Sequence, residues 1–439
     1  MKALKLSLVI MAAALLTIGL SSMAYALHSG GVAHCNACHT MHSSIGGAVM
    51  TKAGGAATGT IGTANAYLLI GATQSDTCLE CHVSSSANPS SFHVATYPLV
   101  SPLVQLSPGG DFSWLQYPQA QATSVKDGHG HNIIAPAYGF NAESTSLGTG
   151  APGGGTGNNG YSKQNLHCTS CHDPHGKYRI TDITNAYTTQ VTSGAPIVAS
   201  SSRPSDIALL TSGSGNALGT YRFLAGKNYA PVSYPSFPFV NAAPVAVAPN
   251  TYNRAEGSTD TRVAYGMGMS EWCANCHGLF HGQASGSPGQ ELRHPSGASA
   301  LLTADVVNNY NHYVTTGNFT GTSTNPGFPY SSLVPFEEGV ANLTNLSLDA
   351  VFDGTAVNKS ATTSNNVMCL SCHRAHASGF PHMTRWDISQ TFLVDGSGNY
   401  TTSGGNTTTD VTKAMYDRLA TTAFVAFQRS LCNKCHAKD

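Results

Sequence analysis

The chain has 439 residues, enough by length for two or three ordinary domains. Its 21 Lys and Arg against 22 Asp and Glu leave a formal net charge of -1, which excludes the basic footprint of a nucleic-acid binder and an acidic tail alike. Only 10% of residues are charged, while 46 Gly and 21 Pro favour turns and irregular segments over long helices.

At the start, Lys2 and Lys5, the apolar run 6–20 and Met23-Ala24-Tyr25-Ala26 read as the three regions of an export signal peptide, residues 1–26. The apolar run is short for spanning a bilayer. No cysteine sits at the cleavage point to take a lipid, and no later stretch is long and apolar enough to span. Residues 27–439 are then expected to form a single elongated domain, because no clean boundary divides them.

Cys35-Asn-Ala-Cys38-His39-Thr-Met-His42 follows, the first of six Cys-x-x-Cys-His runs. The second holds Cys78, Cys81 and His82, and the third Cys168, Cys171 and His172. The fourth holds Cys273, Cys276 and His277, the fifth Cys369, Cys372 and His373, and the sixth Cys432, Cys435 and His436. Such a run reads as a c-type haem attachment site. Its thiols form thioethers with the haem vinyls, and its histidine lies under the ring as proximal iron ligand. One run could arise by chance or bind zinc. Six runs that use all 12 cysteines point to six covalently attached haem c groups and leave none for a disulfide. Attachment takes place outside the cytoplasm, in agreement with export. Six large apolar groups, cross-linked to the chain, can order loops that lack a protein-only core. The expected fold class is mostly irregular coil with a few short α-helices, organised around a linear row of haems.

Between the sites, residues 43–77 are rich in Gly, Ala and Thr. Gly148–Gly160 reads as a mobile surface excursion, and Pro231–Pro249 as extended chain. Val306, Val307, Tyr310, Tyr313 and Val314 share one helical face, with Thr303 able to cap the start and Gly317 the end. A second helix is expected from about Val411 to Leu431, presenting Met415, Leu419, Ala423, Phe427 and Leu431. Strand signals are short and scattered.

Of 19 histidines, six are proximal and thirteen remain for six opposite positions. Iron closed by two imidazoles suits electron transfer rather than substrate chemistry. Three runs carry a further histidine three residues on: His42, His175 and His376. Such a residue cannot easily reach the far face of its own haem, because the macrocycle lies between, so it is expected to serve a neighbouring one. The bland reading is a surface imidazole or a propionate contact. His28, His131 and His294 are free to approach a haem from elsewhere, and His93 and His281 are further candidates. His34 and His167 directly precede a first cysteine, which ties them to the proximal side. His312 points off the apolar face of its helix, and His129 and His382 are weaker. Met267, Met269, Met368 and Met383 read as packing residues.

With these residues in hand, the chain resembles the filament-forming extracellular hexahaem c-type cytochromes, the nanowire cytochromes. The resemblance runs over nearly the whole mature chain. It is carried by His28-Ser-Gly-Gly-Val-Ala, Cys35 to His42, Pro108-Gly-Gly-Asp-Phe, His167 to Arg179, Gly268 to His277, Pro335-Phe-Glu-Glu-Gly, Cys369 to Gly379 and Leu431 to Asp439. It implies six bis-histidine haems in a continuous stack of alternating parallel and T-shaped contacts, with very little regular secondary structure. It also implies that His42 ligates the fifth haem of the adjacent subunit in a homopolymer. The implied role is carrying respiratory electrons to metal oxides, electrodes or partner cells, at low potentials, from a secreted or outer-membrane-associated position. Redox partner cytochromes are expected, and no enzymatic turnover. Two alternatives differ in class: a monomeric periplasmic or surface shuttle, and a multihaem reductase with one five-coordinate haem.

Overall fold

A computed structural model describes residues 35–54, 56–84, 92–99, 103, 107–117, 126–142, 150–154, 160–210, 215–249, 263–281, 294–316, 333–350, 361–403 and 406–436. Turns and single bridges dominate, with short helices and small sheets between them. The expectation of a mostly irregular chain is met.

The first helix, α1, spans Gln74–His82. Its start is fixed by a capping box, in which the Thr73 hydroxyl accepts from the Asp76 N–H at 3.0 Å and Asp76 accepts from the Thr73 N–H at 3.1 Å. A second nine-residue helix, α2, spans Met269–His277 and opens after Gly268, which takes the left-handed φ of 87°. Both helices end on the histidine of an attachment run, sites 2 and 4. The other runs lie on single tight turns, as at Cys168–Ser170 and Cys369–Cys372.

Helix α3, Ala304–Thr316, is the one expected from Val306 and its neighbours. Val306, Val307 and Tyr310 pack inward, and the Thr303 hydroxyl accepts from the Val306 N–H at 3.4 Å. Gly317 and the side chains of Tyr313 and Val314 lie outside the described residues, and His312 is exposed.

The second expected helix is not one helix. Thr408–Ala414 forms α4, capped by Thr407. It stops because Tyr416 and Asp417 turn left-handed, at φ 61° and 59°, and the Asp417 N–H closes on the Thr412 carbonyl at 2.9 Å. A four-residue turn, Ala420–Ala423, follows, and Phe427 is left-handed again. The apolar stripe is therefore split. Met415 and Leu431 are buried, whereas Leu419 and Phe427 are exposed. Threonines and valines in this stretch are weak helix formers, so turn geometry overrides the spacing.

The largest sheet has four short strands in the order Gln190–Val191, Arg179–Ile180, Ala217–Gly219, Ile197–Ser200. The first three run antiparallel, and the last joins in parallel. Ile180 and Leu218 point from it into an apolar cluster completed by Val245, Val247, Leu343 and Leu346. The strand at Val245–Val247 lies within the proline-rich stretch read as extended. A separate cluster gathers Trp114, Phe380, Trp386 and Met415, and another Leu79, Phe112, Ile133 and Tyr138. Apolar packing is thus divided among pieces rather than collected in one core. Of the Gly148–Gly160 excursion only residues 150–154 and 160 are described.

Candidate functional site

All twelve cysteines are unbridged. Five of the six proximal imidazoles pair their Nδ1 with a backbone carbonyl oxygen: His39 with Tyr67 at 3.1 Å, His82 with Phe92 at 2.6 Å, His172 with Arg222 at 2.9 Å, His277 with Pro152 at 2.7 Å and His373 with His382 at 2.8 Å. A carbonyl can only accept, so Nδ1 carries the proton and Nε2 keeps its lone pair for a metal.

Two imidazoles that hold one metal from opposite sides, at about 2.0–2.1 Å per metal–nitrogen bond, place their ring centroids roughly 6–6.5 Å apart. Four histidine pairs have this separation. His39 faces His175 at 6.1 Å, and His172 faces His376 at 6.5 Å. His277 faces His131 at 6.0 Å, and His436 faces His294 at 6.1 Å. Each pair joins one proximal histidine to one candidate from outside its own run. Among the described residues no group of three or more His, Cys, Asp and Glu is arranged to hold a bare metal ion. The donor set is two neutral nitrogens per site beside a pair of thiols, which fits an iron whose other four ligands belong to a covalently held ring.

Neighbouring sites touch through their attachment residues. Cys78 lies beside Cys168, and Cys273 beside Cys369. Ser75 in α1 accepts from the Cys168 N–H at 3.1 Å, and Ser270 in α2 accepts from the Cys369 N–H at 3.0 Å. Site 2 thus leans on site 3 as site 4 leans on site 5. Within sites 3 and 5 a serine before the second cysteine caps its own turn: Ser170 accepts from His167 N–H at 2.9 Å and Ser371 from Met368 N–H at 3.1 Å. These serines are visible in the sequence at matching positions, and sequence reasoning passed over them.

Burial depresses the basicity of the rings paired at sites 3 and 4. His131 and His172 fall to about 4 and His376 to about 3. The opposed ring adds to this, His277 acting on His131 and His172 on His376. His82, His277 and His373 are lowered by burial as well. These side chains are neutral near pH 7, the form that binds iron.

Other candidates are placed differently. His281 Nε2 lies 3.2 Å from the Glu271 carboxylate and His93 packs edge-on against Phe92 at 4.7 Å; neither is set opposite a proximal ring by these contacts. His42 is exposed beside the exposed Met41. His167 reaches Ser75 at 3.3 Å, and His129 the Ser378 carbonyl at 2.9 Å. Met269 and Met368 are buried in an apolar cluster. His28 and His34 lie outside the described residues. Among the described residues no ring stands opposite His373.

One buried acid lies between sites 4 and 5. Glu337 has no solvent exposure; its N–H and carbonyl pair with Asn366, three residues before Cys369. One carboxyl oxygen accepts from the Met269 N–H at 2.5 Å, at the start of α2. The other lies beside the Asn366 side chain, whose own oxygen meets no donor. Burial pushes this acid up to about 8.

No protein-family model matches the chain. It is 45% identical to the C-type cytochrome OmcS of Geobacter sulfurreducens, over 460 aligned positions that span all of both proteins. Among solved structures it is similar to the OmcS nanowires from Geobacter sulfurreducens seen by cryo-EM, with a TM-score of 0.79 and 43% identity over 94% of this chain and 100% of that one. It is also similar to the Outer Membrane Cytochrome S filament of the same organism, with a TM-score of 0.78, 43% identity and the same coverage. No helix among the described residues is long and apolar enough to cross a membrane.

Proposed function

Because this chain belongs to the OmcS family of c-type cytochromes, we propose that it polymerises head to tail into a filament and carries electrons along it to acceptors outside the cell. Haem c, when bound, supplies a one-electron iron couple, and the protein fixes its spacing and ligation. Each chain binds six, one at each attachment run, and each iron is closed by two histidines. Residues 1–26 serve as the export leader, and 27–439 form one elongated unit placed at the cell surface or beyond it. Redox partner cytochromes deliver electrons, and metal oxides or electrodes accept them.

One observation carries the polymer: a step rule in the histidine pairs. The histidine three residues beyond site 3, His175, faces site 1 through His39, and its counterpart beyond site 5, His376, faces site 3 through His172. One further step requires a histidine three residues beyond a seventh site, to face His373. A second copy of the chain supplies it as His42, on an exposed segment. A second rule orders the even sites. His131, ahead of site 3, faces site 4, and His294, ahead of site 5, faces site 6. The histidine in the equivalent place ahead of site 1 is His28, which the rule assigns to His82 at site 2. A contact that joins two different surfaces and never closes on itself generates an open filament. The chain thereby leaves no coordination position for a substrate, in keeping with relay rather than turnover.

Electron micrographs of the purified protein and of His42→Ala test this. The wild type is expected to form filaments, and the variant to remain dispersed with one carbon-monoxide-binding iron per chain. Dispersed, fully six-coordinate wild type would establish the monomeric shuttle instead. Wild type with a high-spin iron that turns over nitrite or hydroxylamine would establish the reductase.

A further inference from the structure

Sites 1, 3 and 5 share more than their histidine spacing. Each proximal histidine meets a three-residue turn whose central residue is left-handed without being glycine. These are Tyr67 (φ 58°, ψ 21°), Arg222 (φ 48°, ψ 31°) and His382 (φ 60°, ψ 24°). The next residue is left-handed too: Leu68 at 58°, Phe223 at 53° and Met383 at 59°. L-residues with a side chain seldom adopt this region, and two in succession are strained.

The bonding around the three turns is the same. The carbonyl of the central residue accepts from the proximal imidazole, at the distances already given. The carbonyl of the next residue accepts from the N–H that follows the proximal histidine, at 2.7 Å from Thr40, Asp173 and Arg374 alike. The second cysteine's carbonyl accepts from Ile70, Ala225 and Arg385 at 2.9, 2.9 and 2.8 Å. Yet the turn lies 28, 50 and 9 residues beyond its histidine in the three cases. Connections of such different length have converged on one geometry, and the central side chains have nothing in common. The even sites are built otherwise: His82 and His277 use the carbonyls of Phe92 and Pro152, neither of them left-handed. A fourth left-handed pair, Tyr416–Asp417, closes helix α4 instead.

We propose that Tyr67, Arg222 and His382 are positioning residues for the iron centres of sites 1, 3 and 5, acting through a left-handed backbone that aims one carbonyl at the proximal imidazole. The inference rests on the reading of those sites as haem centres. The carbonyl holds the proton on Nδ1, sets the direction of the ring and strengthens Nε2 as a donor. A stronger donor stabilises ferric iron and lowers the potential. The odd-numbered centres therefore share one left-handed mounting for that carbonyl, whereas sites 2 and 4 take theirs from Phe92 and Pro152 without it.

The test compares Arg222→Gly with Arg222→Val in the full-length, haem-loaded protein. Both lose the guanidinium, so only the backbone separates them: glycine takes the left-handed region freely, and β-branched valine rejects it. Haem content and the count of low-spin irons are measured first; fewer than six haems in the wild type would sink the haem reading itself. With six present, the valine variant is expected to show one centre of six titrating at higher potential than in the glycine variant, with altered low-spin electron paramagnetic resonance. Indistinguishable redox titrations and spectra in the two variants would overturn the proposal. If Arg222→Val does not accumulate, Tyr67→Gly against Tyr67→Val, at a ring 64% exposed, makes the same comparison, and the same difference or lack of difference decides it.

Discussion

The backbone N–H of His131 donates to the carbonyl oxygen of His376 at 2.9 Å. The His131 Nδ1 also lies 2.8 Å from the Ala375 carbonyl, 244 residues away in sequence. The imidazoles that face His277 and His172 are therefore mounted on one short ladder, which on the side of residues 375 and 376 uses backbone atoms alone.

A selective result follows at His376. Replacing it with alanine removes the ring that faces His172 and leaves the support of His131 in place. The expected outcome is one high-spin, carbon-monoxide-binding iron per chain, not two. Stoichiometric carbon monoxide titration with paramagnetic resonance on the reduced and oxidised protein checks this count.

The same ladder is intolerant of a methyl group at Gly110. This residue has φ +96°, and a Cβ there would sit 1.8 Å from the Ala377 carbonyl oxygen. Strained backbone and a collision with fixed main chain act together. Gly110→Ala is expected to cost roughly 3 kcal/mol. A lowered thermal midpoint, together with disturbed low-spin spectra at site 3, is the signature.

Glu337 makes stability depend on pH in a direction opposite to most carboxylates. Its folded value is raised, to about 8 from 4.5, so its contribution is complete below the ordinary carboxylate range. That contribution is lost as pH climbs towards 8, because the unfolded chain ionises first. The loss is on the order of 1 kcal/mol per pH unit across the window. Glu337→Gln keeps an acceptor for the Met269 N–H and brings a donor to the bare Asn366 oxygen. Denaturant midpoints from pH 5 to 9 are expected to flatten in the variant, which should exceed the parent at pH 8. A variant that tracks the parent at every pH would refute this.

Leu218 offers a purely structural contrast. It is fully buried in the four-stranded sheet, in the cluster with Ile180 and Val245. Leu218→Ala is expected to cost about 2–5 kcal/mol. The melting temperature is expected to fall while the Soret band stays at its wild-type position.

How much of this is legible in the sequence varies with the range of the interaction. The attachment runs are local patterns, and the helix at Ala304–Thr316 follows from its own spacing. That His175 and His376 turn to a run other than their own is also expected from local geometry, since one short loop does not easily reach both faces of a ring, and each faces a histidine of another run. The identity of each neighbour does not. His175 faces His39 across more than a hundred residues of sequence, and nothing in composition or periodicity encodes that path. The carbonyls that hold the proximal rings are equally hidden, because a backbone acceptor leaves no residue signature. The stretch from Val411 to Leu431 misleads for the opposite reason: a convincing stripe is overruled by left-handed turns at Tyr416, Asp417 and Phe427. Ser75 and Ser270, each three residues before a first cysteine, are the one long-range clue present in plain view.

The reach of His175 back to His39, and of His376 back to His172, also governs the order in which such a molecule can mature. A chain emerging amino end first cannot finish its earliest metal centre until the third attachment run has followed it out, and the third must wait for the fifth. In the proposed filament the last odd centre waits for a newcomer. A growing fibre would therefore be directional, with an unmet ring at one tip, behind His373, and an unspent His42 at the other, and each arriving molecule would complete its predecessor before it is itself complete.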